Sequence, residues 1–453
     1  MIMLWKKKKS RKNTYKDNVF PRYVDKMAGE FDAEKFNCGI IGGRNGDRNA
    51  TISVAAGETT ILSENMRLSI RDEKTHLNNN MFIISDDSYA DKLIAANILQ
   101  CNSSFIIADT GGKMLAETRA RLVNAGYDIQ VLDIRRPETS AKYNPLRFVD
   151  DKEDAEMLAR CIAGDNFGAL SDMILQVLSD NAEEKQTMES VARLVAGSKP
   201  GLCGIDIFLR PEITNLTSQN DSVNLCSPSP DVDGVSDSPY TSSKLQTDGQ
   251  PEVGRGLPSN DDIILDKAGE RLTGIFVVCP EEKSDADVLA NIMMMQLHRV
   301  LVKAAKEKYN GERLPYLTRL YFNHIERYGG NPFFLYMDRG DCFLNVRRYN
   351  IAYTFACRGL SFVKKIYGED AGCIFANADA VIYCSSDDEV TSGYIYRKVG
   401  IRIRCVRHPS GGSIDPVPQR RVITYKELLA LPEDECYIML RGHDEILDKK
   451  YTK

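Results

Sequence analysis

The sequence predicts an α/β domain built on a parallel sheet flanked by helices, and three observations carry that expectation. From about residue 80, short apolar runs alternate with single amphipathic stretches. The runs have strand length and the stretches helix length, the pattern that βαβ crossovers leave in a sequence. Gly126 ends one such stretch, where a helix C-terminus calls for left-handed backbone that glycine adopts at little cost.

Taken in order, MFII at 81–84 leads into the helical DKLIAANILQ, and FIIAD at 105–109 leads into KMLAETRARLVNAG. DIQVLDI at 128–134 closes this first block. After residue 270 the alternation resumes, with strands expected at 274–278, 317–322, 351–356 and 380–384. Helices are expected to start near Ser284, Gly359 and Glu389, and CYIMLRG at 436–442 reads as a last strand. Between the blocks, EDAEMLARCIAG and LSDMILQVLSD carry helical apolar periodicity.

These readings divide the chain into five parts. Residues 1–58 form a basic arm and an irregular or β lead-in, and 59–150 the first part of the α/β domain. Residues 151–210 form a helical insertion, 211–262 a disordered loop, and 263–453 the second part of the domain. The loop is rich in Ser, Asp, Pro and Gly, too poor in apolar surface to offset its ordering entropy.

Composition excludes several classes. Hydrophobic content of 43% suits a globular core, and the net charge of −5 gives no global nucleic-acid signal. Residues 1–26 carry nine Lys/Arg against Asp17 and Asp25, about +7, which leaves about −12 for the rest. No run of about 18 apolar residues is present, so no transmembrane helix is expected. The apolar 1–5 is too short for the core of a signal peptide. The twelve cysteines are scattered without a C-x-x-C pair and the five histidines without ligand spacing, so neither disulfides nor a metal site is expected. CGIIGGRNGDRN at 38–49 lacks the spacing of a dinucleotide loop and reads as a β-turn, and HPSGGS at 408–413 reads as an exposed loop. Met293 to Met295 and Met337 read as core packing.

Several segments, in collinear order over about two-thirds of the chain, resemble the TraG/TraD-type coupling proteins of conjugation and type IV secretion. They are TTILSENMRLSIRDEKTHLNNN at 59–80, NILQCNSSFIIADTGGKMLAETRARLVNAGYDIQVLDI at 97–134, AKYNPLRFV at 141–149, the stretch from LTGIFVV to NGERLP, and VITYKELLALPEDECYIMLRG at 422–442. Within them, Asp109 and Gly112 match a family turn usually written D-P-K-G-E. The resemblance implies a P-loop NTPase-like (RecA/FtsK-like) fold and ring-forming ATPase relatives that hand DNA or protein to a secretion channel.

Against that background the nucleotide chemistry is missing. A P-loop, G-x-x-x-x-G-K-[ST], wraps phosphates in bare backbone N–H groups, sets its lysine on the β/γ-phosphates and its hydroxyl on Mg²⁺. The matching positions here are Ser85, Asp86, Asp87, Ser88, Tyr89, Ala90, Asp91 and Lys92. Ser85 and Ala90 fall on the glycines, Asp91 on the lysine and Lys92 on the Ser/Thr, so Asp86, Asp87 and Asp91 would set three carboxylates against the phosphates. The second motif needs an Asp to orient Mg²⁺ and a Glu to activate water. Asn323 and His324 stand in those places, and Asp338 offers another register that lacks the Glu. The third element, a glutamine-rich turn in the family, carries Arg358 here, either an anion partner or a surface arginine at a strand end.

The resemblance thus implies a non-catalytic or weakly active homologue that recruits or transfers DNA or protein, with no cofactor where active relatives use ATP and Mg²⁺. The alternative is an active ATPase motor of conjugal DNA transfer with a rearranged site using Lys92, Asp338 and Asn323. A third reading is a mobile-element product with no selected role. The implied partners are type IV secretion and conjugation proteins, an active coupling-protein homologue, DNA or a relaxase, and further copies of the chain. The implied location is cytoplasmic, with peripheral contact to anionic lipid on the inner face of the cell membrane through Lys6 to Lys12. Limited proteolysis should cut first within 211–262, and deleting that stretch should leave the α/β core folded; cleavage elsewhere with this stretch intact would contradict its assignment as a loop.

Overall fold

Side-chain periodicity of two, run after run, is what lets seven of these strands share one sheet with both faces covered. The computed structural model describes residues 40–42, 58–179, 186–198, 204–218, 263–325, 346–368, 371–399, 401–407, 414–421, 423–443 and 445–452. The N-terminal strands β1 (Ile40–Gly42), β2 (Thr59–Ile61) and β3 (Met66–Ser69) make a small antiparallel sheet in the order β1-β3-β2. The main sheet is built from β4 (Met81–Ile84), β5 (Ser104–Thr110), β6 (Asp128–Asp133), β7 (Thr273–Cys279), β8 (Thr318–Phe322), β9 (Ile351–Cys357) and β10 (Ala380–Tyr383). Strands β11 (Ile401–Arg407) and β12 (Ile414–Arg421) form a two-stranded ribbon of their own. Strands β13 (Glu435–Leu440) and β14 (Ile446–Lys449) return to the main sheet, whose order is β14-β13-β10-β4-β9-β8-β5-β7-β6.

The seven strands from β10 to β6 are parallel throughout, and β13 and β14 add antiparallel to the β10 edge. All seven parallel strands lie where the sequence places them. Alternate residues face two separate cores: Phe82, Ile84, Ile106, Leu320 and Phe355 enter one, and Met81, Ile83, Ile107, Phe276 and Tyr321 the other. The second face is covered by α1 (Asp87–Ile98) and α2 (Lys113–Asn124). The first is covered by α3 (Lys152–Ala163), α4 (Phe167–Ser179), α5 (Met188–Ser198), α6 (Pro211–Thr217), α7 (Asp287–Glu307), α8 (Leu360–Tyr367), α9 (Ala371–Asn377), α10 (Glu389–Val399) and α11 (Tyr425–Leu429).

Local chemistry explains the ends of these elements. Gly126, at φ +80°, follows α2; its N–H reaches Val123 O, and Tyr127 N–H reaches Leu122 O, the paired bonds of a Schellman stop. Asp151 caps α3 by accepting from Asp154 N–H at 2.8 Å. The buried Arg319 of β8 ties the small sheet to the large one, donating to Thr60 Oγ1 at 2.6 Å and Asn79 O at 3.3 Å. Met293, Met294 and Met295 are buried in α7, as packing residues. Cys101, Cys161, Cys279, Cys357, Cys384 and Cys436 are free thiols, all buried except the half-buried Cys101.

Two expectations need correction. Residues 211–218 do not belong to the loop: Pro211 starts α6 in the first helical position, where its missing N–H costs nothing, and Ile213 and Leu216 are buried. The apolar spacing of those two residues outweighs the polar composition of the stretch that follows. Residues 219–262 lie outside the described residues. Within 38–49, residues 40–42 form β1 rather than a turn, because Ile40 and Ile41 pair with Leu68 and Arg67. Residues 1–26, Met337, Asp338 and 408–413 also lie outside the described residues. No described helix is long and apolar enough to cross a membrane.

The helix α6 gives a direct check on the corrected boundary. Leu216 is fully buried and its carbonyl accepts from Tyr143 N–H at 2.8 Å, whereas Leu429 is 54% exposed. Leu216→Ala should cost about 2–5 kcal/mol in urea unfolding and Leu429→Ala less than about 0.5 kcal/mol. Equal midpoints for the two variants would put α6 outside the folded unit.

Candidate functional site

In a parallel sheet the strand ends at the carboxyl edge face one crevice, and this is where the chemistry-bearing residues converge. Strand β4 ends at Ile84 and α1 begins at Asp87, so only Ser85 and Asp86 lie between them. Asp86 is the cap of α1: its Oδ1 accepts from Tyr89 N–H at 3.0 Å and Ser88 Oγ at 2.6 Å. Burial opposes ionisation of Asp86, but these bonds outweigh it and hold the carboxylate below its ordinary pKa. Asp86 is therefore a helix-capping group, not a free carboxylate aimed into the crevice. The positions from Asp87 to Ala90, which in a P-loop would be extended around phosphate, are the first turn of a helix.

Asp87 and Asp91 lie four residues apart and so share one face of α1. His324, just past the end of β8, lies against both: Nδ1 is 3.1 Å from Asp87 Oδ1 and Nε2 is 3.3 Å from Asp91 Oδ2. Asn323 donates from Nδ2 to Asp91 Oδ1 at 3.3 Å. Arg358, following β9, donates from Nε to Asp87 Oδ2 at 2.7 Å, and a second guanidinium nitrogen contacts the same oxygen. Thus the structure brings Asp87, Asp91, Asn323, His324 and Arg358 into one network. Arg358 is an anion partner, and the anion is this chain's own Asp87.

The charge states follow from the contacts. Burial alone would favour neutral His324, but the two carboxylates outweigh it and lift its pKa to about 10. The ring then donates from both nitrogens. Burial likewise disfavours the Asp87 carboxylate, yet His324 and Arg358 hold it far below the usual carboxylate range. His324 sits at φ +53°, a left-handed conformation that costs a non-glycine residue about 1–3 kcal/mol. The network holds it there.

Asp109, at the end of β5, is buried and accepts from Met114 N–H at 3.1 Å and Leu115 N–H at 2.8 Å, so it ties down the first turn of α2. Burial raises its pKa against those two bonds, and nearby Asp91 adds to the rise. Gly112, at φ +76°, is the position before α2, and a Cβ there would lie 2.9 Å from Arg135 Nη2. Ser85 turns its hydroxyl to Asp86 O at 2.8 Å, Tyr89 is buried, and Lys92 is exposed on α1. Sequence reasoning missed Asp388, which accepts from Ser361 N–H at 2.9 Å and also contacts Thr391, fixing the start of α8 beside Arg358. A Cβ on Gly359 would come within 2.9 Å of Asp388, so only glycine leaves room. An aspartate in a Ser/Asp loop gave no signal by itself.

The imidazole of His324 lies between the Asp87 and Asp91 carboxylates, and residues 87–90 are already helical. Among the described residues no group of three or more His, Cys, Asp or Glu side chains could hold a metal ion.

No family model matches the chain, and no curated protein sequence matches it. Solved structures do. The plasmid coupling protein TrwB in complex with ADP and Mg²⁺ matches with TM-score 0.56 at 11% identity, over 83% of this chain and 85% of that one. The bacterial conjugative coupling protein TrwB in a trigonal form with sulphate matches with TM-score 0.55 at 11% identity, over 83% and 86%. VirB4 of Thermoanaerobacter pseudethanolicus matches with TM-score 0.52 at 12% identity, over 88% and 97%. The chain has the P-loop-NTPase-like α/β fold of those proteins, and at such identities the likeness is one of fold.

The site predicts a pH dependence. His324 has a folded pKa raised above its ordinary 6.5, so its contribution is fully present below about 6.5 and is lost as pH rises through about 10. Asp87 has a depressed folded pKa, so its contribution is present above its ordinary 3.8 and is lost as pH falls through the lower folded value. Urea midpoints should therefore decline from neutral pH toward pH 10. His324→Ala should remove that decline and cost about 1–3 kcal/mol at pH 6. An alkaline decline that survives the substitution would mean another group titrates.

Proposed function

We propose that this chain is a non-hydrolysing or barely hydrolysing homologue of the type IV secretion coupling proteins, acting by binding. Its role is to recruit or pass on DNA or protein substrate beside conjugation or secretion proteins. The observation that carries this reading is His324 lodged between Asp87 and Asp91 at the carboxyl end of the sheet. Side chains of the chain itself fill the place and supply the charge that nucleotide and Mg²⁺ would otherwise need. The fold shared with TrwB and VirB4 supports the assignment to this functional group, and the collinear segments from 59–80 to 422–442 support it independently.

The chemistry works against hydrolysis at each step. Phosphoryl transfer depends on positioning and on neutralising charge that develops on the phosphate oxygens. Here the exposed Lys92 is one turn inside α1, Asn323 is committed to Asp91, and the protonated His324 has no lone pair with which to accept a proton from water. Removal of such groups typically costs several orders of magnitude in rate.

Isothermal calorimetry with ATP and Mg²⁺ should give no binding heat at up to millimolar nucleotide, and phosphate release should stay at background. Asn323→Asp with His324→Glu should not restore activity, because two new carboxylates would join Asp87 and Asp91, and the variant should unfold at lower urea. Steady phosphate release that Lys92→Ala abolishes would establish the rearranged-site motor and overturn this reading.

A further inference from the structure

Two cysteines distant in sequence meet where β13 joins the main sheet. Strands β10 and β13 are antiparallel, with Ala380 opposite Leu440 and Tyr383 opposite Tyr437. Continued by one residue, that register sets Cys384 directly opposite Cys436. Antiparallel partners alternate between pairs that exchange backbone hydrogen bonds and pairs that do not. Arg441 N–H donates to Asp379 O at 2.9 Å, which makes 379 and 441 a bonded pair. By alternation along the register, 384 and 436 are an unbonded pair. Cys384 N–H accordingly points away from β13 and donates to Ile84 O of β4 at 2.9 Å.

Unbonded partners are the closer kind, with Cα atoms about 4.5 Å apart, inside the ~4.4–6.8 Å that a disulfide spans. Both side chains point to one face of the sheet, since Cys384 and Cys436 share a core with Ile382 and Ile438. Each is fully buried and each is a free thiol. The Cys384 thiol lies within hydrogen-bonding reach of Cys436, and this contact together with burial pushes the Cys436 thiol well above its ordinary pKa. The pair lies one strand in from the sheet's edge. Beside it runs the edge strand β14, four residues long, whose Asp448 stands opposite Cys436. Beyond β14, Tyr451 N–H donates to Tyr89 Oη of α1 at 3.1 Å. A short edge strand opens by local fluctuation at lower cost than the sheet interior, enough to admit a molecule little larger than water.

We infer that Cys384 and Cys436 are a reversible oxidation site, a dithiol that hydrogen peroxide converts to a cross-strand disulfide. One sulfur, as thiolate, attacks a peroxide oxygen and breaks the O–O bond; it becomes a sulfenic acid, and the departing hydroxide takes up a proton as water. The second sulfur then attacks the sulfenic sulfur, and the displaced hydroxyl leaves with the second thiol's proton as another water. Two thiols and one peroxide thus give one disulfide and two waters, with two electrons passing from sulfur to oxygen. Because the Cys436 thiolate is disfavoured, the reaction is slow. The same cost favours the disulfide at equilibrium, since a dithiol is held reduced chiefly where its thiolate is stabilised.

The bond closes a loop over 436 − 384 = 52 residues, which encloses α10 and α11. That loop begins beside Ser386, whose hydroxyl donates to Arg358 O at 3.0 Å. Oxidation therefore ties β13 to the turn that abuts the Arg358 end of the charge network. The inference is independent of whether the chain hydrolyses ATP.

The test is peroxide treatment of the full reduced chain, alkylation of the remaining thiols, and chymotryptic digestion without reductant. Cleavage after Tyr383, Tyr394, Tyr425 and Tyr437 leaves Cys384 and Cys436 each on a peptide with no other cysteine. Mass spectrometry should find these two peptides joined, two hydrogens lighter than their sum, and dithiothreitol should separate them. The oxidised chain should melt several degrees above the reduced one, because the cross-link removes chain entropy from the unfolded state. Cys436→Ser should abolish both the joined peptide and the rise. Phenylarsine oxide on the unaltered chain keeps the test valid if that variant folds poorly: one trivalent arsenic bridges two adjacent thiols and should protect both from alkylation. Peroxide that leaves both thiols open to alkylation, takes either one singly to sulfinic acid, or joins either to a third cysteine would overturn the inference.

Discussion

The junction between β4 and α1 constrains everything at the carboxyl edge of the sheet. With only Ser85 and Asp86 between strand and helix, Asp86 must cap α1 at once, and the next four residues wind into its first turn. That winding places Asp87 and Asp91 on one helix face, turned toward the ends of β8 and β9. Two adjacent carboxylates at a half-buried strand edge need cations, and the adjacent strand ends supply His324 and Arg358. A loop long enough to wrap a phosphate would have moved both aspartates away from His324 and Arg358.

The network holds four charged groups: two carboxylates, one imidazolium and one guanidinium. Such groups are weak evidence for overall stability, because desolvating the charges offsets most of their attraction. They are strong determinants of arrangement, because removing one member strands the rest. The left-handed backbone at His324 is consistent with that distinction. A conformation this costly is kept where surrounding contacts over-determine it, and here the imidazole is gripped from both nitrogens.

Much of the sheet was legible from local pattern, since a parallel strand buried on both faces is a short apolar run and little else resembles it. MFII, FIIAD and AVIYC are such runs, and each is a strand. The proximity of the 85–91 segment to Asn323 and His324 was also readable, because the carboxyl ends of parallel strands in one sheet share an edge. The pairing inside that edge was not. Whether Asp87 repels an anion or satisfies Arg358 depends on a separation of 271 residues in sequence, and no local signal encodes it. The helix Pro211–Thr217 was lost for the opposite reason, since two buried side chains at helical spacing were outvoted by the polar stretch beyond them.

The same sheet order has a consequence for how the chain acquires its structure. Strand β4 lies between β9 and β10, and Met81 pairs with Thr354 on one side and Ala380 on the other, separations of 354 − 81 = 273 and 380 − 81 = 299 residues. Synthesis at roughly 5–20 residues per second means that MFII waits about 14–55 s before its first partner leaves the ribosome. Through that interval a fully apolar strand has two open edges, the condition under which chains pair with the wrong neighbour. Such long-range closure also makes the sheet a slow folder, because loop entropy must be overcome before any central pairing returns free energy. The interior strand β4 is thus the first of the seven to be made and among the last to be secured, so yield of folded protein should be governed by translation rate and holding chaperones more than by the final stability of the core.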